Sequence, residues 1–193
     1  MKKIPIGLKD YRKLKEENYY VVDKSLMIKE FMDRGSEVTL ITRPRRFGKT
    51  INMSMLAEFF DVTKDSLEIF KDTAIMQSEY AKDINSYPTI FLSFADAKGD
   101  KNNIVMQMKL QLLKEYKKNK QVLEHIDIFE KPGFDMVMKG MSDLQDESLQ
   151  GVVNAISFLM TKCHQYYGKR VMLLIDEYDT PFIEAHTQGF YDE

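Results

Sequence analysis

A short basic loop that joins an apolar run to a helical segment constrains this chain more than any other feature. The apolar run at residues 38–41 is brief and β-rich, which predicts a buried strand. Residues 51–60 then return apolar side chains at helical spacing, and Gly48-Lys49-Thr50 stands where that helix should begin. A strand, a tight loop and a helix that starts after a glycine form the usual framework of a phosphate-binding loop.

The tripeptide has a defined chemistry in such a loop. Gly48 lets the backbone approach a phosphate, Lys49 faces the β and γ phosphates, and the Thr50 hydroxyl binds Mg²⁺. The general pattern G-x-x-x-x-G-K-[ST] begins with a glycine, but this chain has Arg43 at that position. Taken alone, the tripeptide is therefore weak evidence, because the same residues often form only a turn and a helix cap.

A second sequence element, an apolar run that ends in two acids, strengthens the interpretation of residues 38–50 as a phosphate-binding loop. Residues 171–175 are apolar and lead directly into Asp176 and Glu177. In nucleotide hydrolases built this way, the first acid holds Mg²⁺ and the second polarises the attacking water. A buried strand that ends in two acids is common in other proteins too. The two elements in one chain, each with strand context, together predict nucleotide binding.

The loop at residues 43–50, Arg-Pro-Arg-Arg-Phe-Gly-Lys-Thr, resembles that of the bacterial AAA-ATPase-like family, whose longer members commonly end in a PD-(D/E)xK nuclease-type domain. Residues 4–7, 17–25 and 176–181 resemble the same family in the same order. These blocks span nearly the whole chain. Arg43 thus departs from the general P-loop but not from this family's version of it.

The resemblance implies an ATP site with Mg²⁺ as cofactor. Lys49 and Glu177 would be catalytic, and Thr50 and Asp176 would hold the metal. The nucleotide would be bound by the loop residues Arg43, Arg45, Arg46, Phe47, Gly48, Lys49 and Thr50. No motif that reads guanine is recognisable.

The two central arginines of the loop have two interpretations. Arg45 or Arg46 can contact a phosphate, because a planar guanidinium binds two oxygens at once. Alternatively, both pair with acids such as Asp176 or Asp179 when no nucleotide is bound.

The predicted fold is α/β, a P-loop three-layer α/β/α arrangement with a mostly parallel sheet. Residues 1–193 would be the N-terminal portion of an AAA-ATPase-like domain, with a lead-in segment and helix at residues 1–36 and the P-loop core at 37–193. The predicted function is ATP binding, with Mg²⁺-dependent hydrolysis that drives or gates an attached C-terminal domain. The alternative is a nucleotide-gated interaction module of a nuclease-like protein, which binds ATP without hydrolysing it and leaves the work to a C-terminal nuclease-like domain.

The sequence also predicts individual elements. A helix from Ser25 should end near Gly35, a strand should cover residues 89–94, and helices should cover 103–119 and 149–167, with connecting structure at Pro132-Gly133. In the P-loop branch that the chain resembles, the strand between the two motif strands follows the acid strand in sequence. We therefore expect the motif strands either to pair directly or to leave a gap.

Composition bears on partners and location. The formal net charge of −2 does not favour nucleic acid, so the lysines at 114, 117, 118 and 120 would have to act as a local patch. Cations at a helix C-terminus are the simpler interpretation of them. The single cysteine, Cys163, excludes an internal disulfide. Together with the lack of an apolar membrane-spanning or signal segment, it predicts a cytoplasmic protein that does not enter the membrane.

Overall fold

The computed structural model describes residues 2–42 and 47–191, and the fold is α/β with a predominance of helix. The chain divides into two compact units, Met1–Thr89 and Ile90–Glu193, and each is described by itself.

The elements follow one another along the chain as α1 (Tyr11–Glu16), α2 (Leu26–Arg34), α3 (Lys49–Phe60), α4 (Leu67–Phe70), two 3₁₀ helices (Ala74–Gln77 and Glu79–Asp83), β1 (Thr89–Ser93), α5 (Lys101–Lys118), α6 (Lys120–Leu123), α7 (Lys131–Ser142), α8 (Leu149–Tyr167), β2 (Met172–Asp176) and α9 (Thr180–Gln188).

Aromatic packing around the end of α3 forms the core of the first unit. Phe59, Phe60 and Phe70 are fully buried, and the ring of Phe59 lies 5.2 Å from that of Phe60 and 5.4 Å from that of Phe70. Tyr11 packs on Phe70 at 5.2 Å, while its N–H donates to Ser54 Oγ at 3.0 Å. Burial of large aromatic side chains is the strongest stabilising term available to so small a unit. The C-terminal half of α3 is therefore held firmly.

A half-buried asparagine fixes the chain where it leaves α3. The Asn85 amide donates to the carbonyls of Glu58 (3.0 Å) and Asp61 (2.9 Å), and its oxygen accepts from Ser66 N–H at 2.8 Å. Its backbone has φ 48°, in the left-handed region that asparagine tolerates better than most residues. Asn85 thus satisfies carbonyls that the helix end leaves without intrahelical donors.

In the second unit, two parallel strands lie beside long helices. β1 and β2 form a two-stranded parallel sheet, and Phe94 N–H extends the ladder by donating to Asp176 O at 3.0 Å. Leu92, Leu112 and Leu159, from β1, α5 and α8, are fully buried in one cluster. Cys163 is buried in that cluster within α8, as expected of a packed cysteine.

Most of the predicted elements are confirmed. α2 ends at Gly35, β1 covers residues 89–93, α5 covers residues 101–118, and α8 has the predicted bounds. The prediction of connecting structure at Pro132-Gly133 is wrong, because both residues lie in the first turn of α7. Proline is tolerated there since the N–H that it lacks has no intrahelical partner in the first turn.

The buried strand predicted at residues 38–41 is also wrong. Residues 36–42 form no regular element, and Val38 and Leu40 are 87% and 62% exposed. An extended segment becomes a strand only when a neighbour pairs its backbone groups. Among the described residues, β2 pairs with β1 and with Phe94, and not with this segment. Direct pairing of the two motif strands therefore does not occur.

We predict that Asn85→Ala lowers the free energy of unfolding of the chain by about 2–3 kcal/mol, since several hydrogen bonds to partly buried groups are lost at about 1 kcal/mol each. Urea unfolding followed by circular dichroism measures the change. Asn154→Ala is the control, because the exposed Asn154 side chain bonds only Gln150 in the described structure. Equal stability of the two variants would contradict this role for Asn85.

Candidate functional site

The N-terminus of α3 has the backbone geometry of an anion site. Gly48 is the N-cap residue with φ 80°, a conformation that costs an L-residue with a side chain about 1–2 kcal/mol. Its carbonyl accepts the first helical bond from Asn52 N–H at 2.9 Å. The helix therefore begins immediately after a glycine whose conformation few other residues could adopt.

The first N–H donors of α3 have no acceptor in the part of the chain that the structure describes. Within residues 2–42 and 47–191, the N–H groups of Lys49, Thr50 and Ile51 donate to no acceptor, and no side chain caps the helix. Free N–H groups and the helix dipole together favour an anion at this end. Gly48, Lys49 and Thr50 are thus brought together at one helix start, as the sequence predicts.

The rest of the predicted loop is only partly described. Phe47 directly precedes Gly48, and its side chain is 60% exposed. Arg43, Arg45 and Arg46 lie outside the described residues, so their predicted phosphate contacts stay predictions. Lys24, which the sequence analysis did not single out, has its Nζ only 3.8 Å from the point where a Cβ on Gly48 would lie.

The two acids lie in the second unit, at the carboxyl end of β2. Asp176 is the last residue of the strand and is 5% exposed, whereas Glu177 is half-buried in the turn that leads to α9. Glu177 has φ 54°, which is unfavourable for a residue with a side chain. Its carbonyl accepts from Thr180 N–H at 3.1 Å, so the turn is closed by hydrogen bonding.

The following helix is tied to the loop after β1. Glu184 Oε2, on α9, accepts from Gly99 N–H at 3.1 Å. Asp96, in the same loop, is an exposed turn residue. The loop after β1 is therefore joined to the helix that follows β2, at the carboxyl edge of the sheet, where ligands bind in open α/β folds.

Comparison with known proteins identifies the family of the chain. A family model described as "Predicted AAA-ATPase" matches residues 5–193. The chain belongs to the AAA-ATPase-like family. It is also 26% identical over 196 residues to an uncharacterized protein in the vnfD 5' region of Azotobacter chroococcum mcd 1. The alignment covers 97% of this chain but 31% of that relative, so the chain spans about a third of the relative's length. No solved structure matches the chain.

Mg²⁺ prefers oxygen ligands, keeps several waters, and takes one or two protein groups together with substrate phosphates. The hydroxyl of Thr50, in the first unit, and the carboxylate of Asp176, in the second, are ligands of that chemical type. Their shared role in holding Mg²⁺ stays a prediction. The described residues contain no group of three or more histidines, cysteines or acids that could hold a metal by themselves.

The lead-in segment of this AAA-ATPase-like chain contains Tyr11, Tyr19 and Tyr20, and each tyrosine could either line a base pocket or pack against the core. Tyr11 is fully packed, and burial raises the pKa of its phenol, with the charge of Asp23 adding to the shift. Tyr20, by contrast, is exposed. Packing is therefore the correct interpretation for Tyr11.

None of the helices in the described part of the chain is both long and apolar enough to cross a membrane.

An open cavity of about 670 Å³ lies in the second unit between α7 and α8, and its lining includes Phe129, Met136 and the ion-paired Glu130 and Lys162. None of the predicted site residues lines it, so it has no part in the candidate site.

We predict that Gly48→Ala lowers the free energy of unfolding by about 1–2 kcal/mol, because alanine is strained at positive φ. Among the described residues, the atom nearest to the new Cβ would be Lys24 Nζ at 3.8 Å, which is an ordinary van der Waals contact. Gly133→Ala is the matched control: Gly133 lies in α7 with open space around it, so the substitution should stabilise by up to about 1 kcal/mol. Thermal unfolding shows whether each variant is stabilised or destabilised. A stabilised Gly48→Ala would contradict the described cap.

Proposed function

We propose that the chain is an ATP-binding P-loop module of the AAA-ATPase-like family that hydrolyses ATP with Mg²⁺. The start of α3 carries this proposal. There, a glycine at positive φ is followed by Lys49 and Thr50, whose N–H groups have no acceptor in the described structure. A polyphosphate supplies the missing acceptors and negative charge at once.

Each residue then has one role. Lys49 neutralises the β and γ phosphates, and the backbone N–H groups after Gly48 orient them. Thr50 and Asp176 would hold Mg²⁺, and the ion offsets the charge that develops on the transferred phosphoryl group. The exposed Phe47 and the arginines of the loop would complete the nucleotide contacts.

Glu177 is the proposed general base. A general base must accept a proton from the attacking water within hydrogen-bond reach. Its conformation supports the role, because a left-handed backbone on a residue with a side chain costs about 1–3 kcal/mol and is concentrated at functional sites. The closed turn before α9 holds that conformation in place.

The finer fold is part of the same proposal. A three-layer α/β/α P-loop arrangement is supported by the parallel pairing of β2 with β1 and by the long helices beside them. We further propose that hydrolysis drives or gates an attached C-terminal domain in the cytoplasm. The length of the relative, which extends well beyond the matched region, is consistent with additional domains.

Lys49→Ala is predicted to weaken ATP binding at least tenfold, a loss of about 1.4 kcal/mol or more, because the ammonium is the main side-chain charge facing the phosphates. Isothermal titration of the 193-residue chain with ATP and Mg²⁺ measures this. Lys82→Ala removes an equal charge from an exposed position of the same unit and should bind as the wild type does. Unchanged affinity of Lys49→Ala would rule out the P-loop assignment.

Glu177→Gln should leave ATP affinity within about twofold and lower turnover by about 10²–10⁴-fold, because an amide keeps the shape but cannot take the proton. Phosphate release by the full-length protein gives the rate. Equal, measurable rates in both proteins would remove Glu177 from the mechanism. Rates near zero in both, with ATP still bound, would favour the non-hydrolysing, nucleotide-gated module.

A further inference from the structure

The segment Asp23-Lys24-Ser25 is fastened to the first unit on both sides of its lysine. Asp23 Oδ2 accepts from Ala74 N–H at 2.8 Å, and Ser25 Oγ accepts from Ile75 N–H at 3.0 Å. The Ser25 side chain is fully buried. Because both neighbours of Lys24 are held by consecutive N–H groups, the backbone of Lys24 has little freedom to move.

The carboxylate of Asp23 is committed to these contacts. Its other oxygen, Oδ1, accepts from Ser25 N–H at 2.8 Å. Burial alone would raise the pKa of Asp23, but the hydrogen bonds from Ala74 and Ser25 and the charge of Lys15 outweigh it, so the pKa lies below its ordinary value of 3.8. Asp23 is therefore ionised near neutral pH and already satisfied by N–H donors.

Lys24 extends to the start of α3. Its Nζ lies 3.8 Å from the Cβ position of Gly48 and makes no hydrogen bond or ion pair with any described residue. Other cations of this unit are used differently, since Arg12 and Lys64 pair with the buried Glu58, and Lys29 pairs with Asp33. Among the described residues, Lys24 is thus a cation without a partner, and it lies beside N–H donors that also lack acceptors there.

We infer that Lys24 is a second phosphate-binding cation of the nucleotide site, acting with Lys49 on the polyphosphate. The inference rests on the proposed function, because it places Lys24 at the same anion. A lysine binds phosphate as a compact point charge and needs only proximity, which the fastened segment provides. The like charges of Lys24 and Lys49 also make an anion between them more favourable.

The test compares Lys24→Gln, Lys24→Arg, Lys49→Ala and the control Lys9→Gln, an exposed lysine of the same unit, in the 193-residue chain. Binding of ATP with Mg²⁺ is measured by titration, and inorganic tripolyphosphate is used as a competitor. Lys24→Gln loses one charged hydrogen bond, so its affinity for ATP and for tripolyphosphate should fall about tenfold. The affinities of Lys24→Arg and Lys9→Gln for both ligands should stay within about twofold of the wild type. The melting temperature of Lys24→Gln should not change, because the Lys24 side chain has no partner among the described residues.

Each outcome decides a separate point. If Lys49→Ala loses ATP affinity while Lys24→Gln binds as the wild type does, the inference is overturned and the P-loop site stays in place. Weaker ATP binding with unchanged tripolyphosphate binding would also overturn it, because Lys24 would then contact another part of the nucleotide. No ATP binding by the wild type, or full binding by Lys49→Ala, would overturn the proposed function and the inference with it.

Discussion

The candidate site depends on a difference between the two ends of α3: one end is packed and hydrogen-bonded, and the other leaves N–H donors without described acceptors. The C-terminal half is buried among aromatic rings and closed by the hydrogen bonds of Asn85. The N-terminal end begins at a glycine with positive φ and offers N–H groups that the described protein does not use. Firm packing at one end fixes the direction of the donors at the other, so the binding geometry exists before a ligand arrives.

The same principle applies to the strands of the second unit. β1 holds β2 along its length, and the bond from Phe94 N–H to Asp176 O carries the pairing to the last residue of the strand. The carboxylate of Asp176 is therefore placed by the sheet and not by a flexible loop. Glu177 follows in a strained turn, and the bond between Glu184 and Gly99 restrains the helix after it. A rigid scaffold thus presents both acids.

Several helices, the two strands and the start of α3 could be predicted from local sequence patterns, because those patterns reflect local geometry. Periodic apolar residues gave the bounds of α8 closely, and the start of α3 followed from a glycine next to Lys49-Thr50. The segment at residues 38–41 shows the limit, since strand formation depends on a pairing partner elsewhere in the chain. Lys24 shows it too, because its approach to Gly48 depends on hydrogen bonds to Ala74 and Ile75, about fifty residues away in sequence.

The central claim is that the free donors at the start of α3 bind the phosphates of ATP. Amide NMR of the 193-residue chain, with ATP and Mg²⁺ added stepwise, tests it most directly. The account predicts that the amide resonances of Lys49, Thr50 and Ile51 shift the most and that their hydrogen exchange slows, because those N–H groups gain acceptors. Saturable ATP binding that leaves these three amides unchanged would contradict the account.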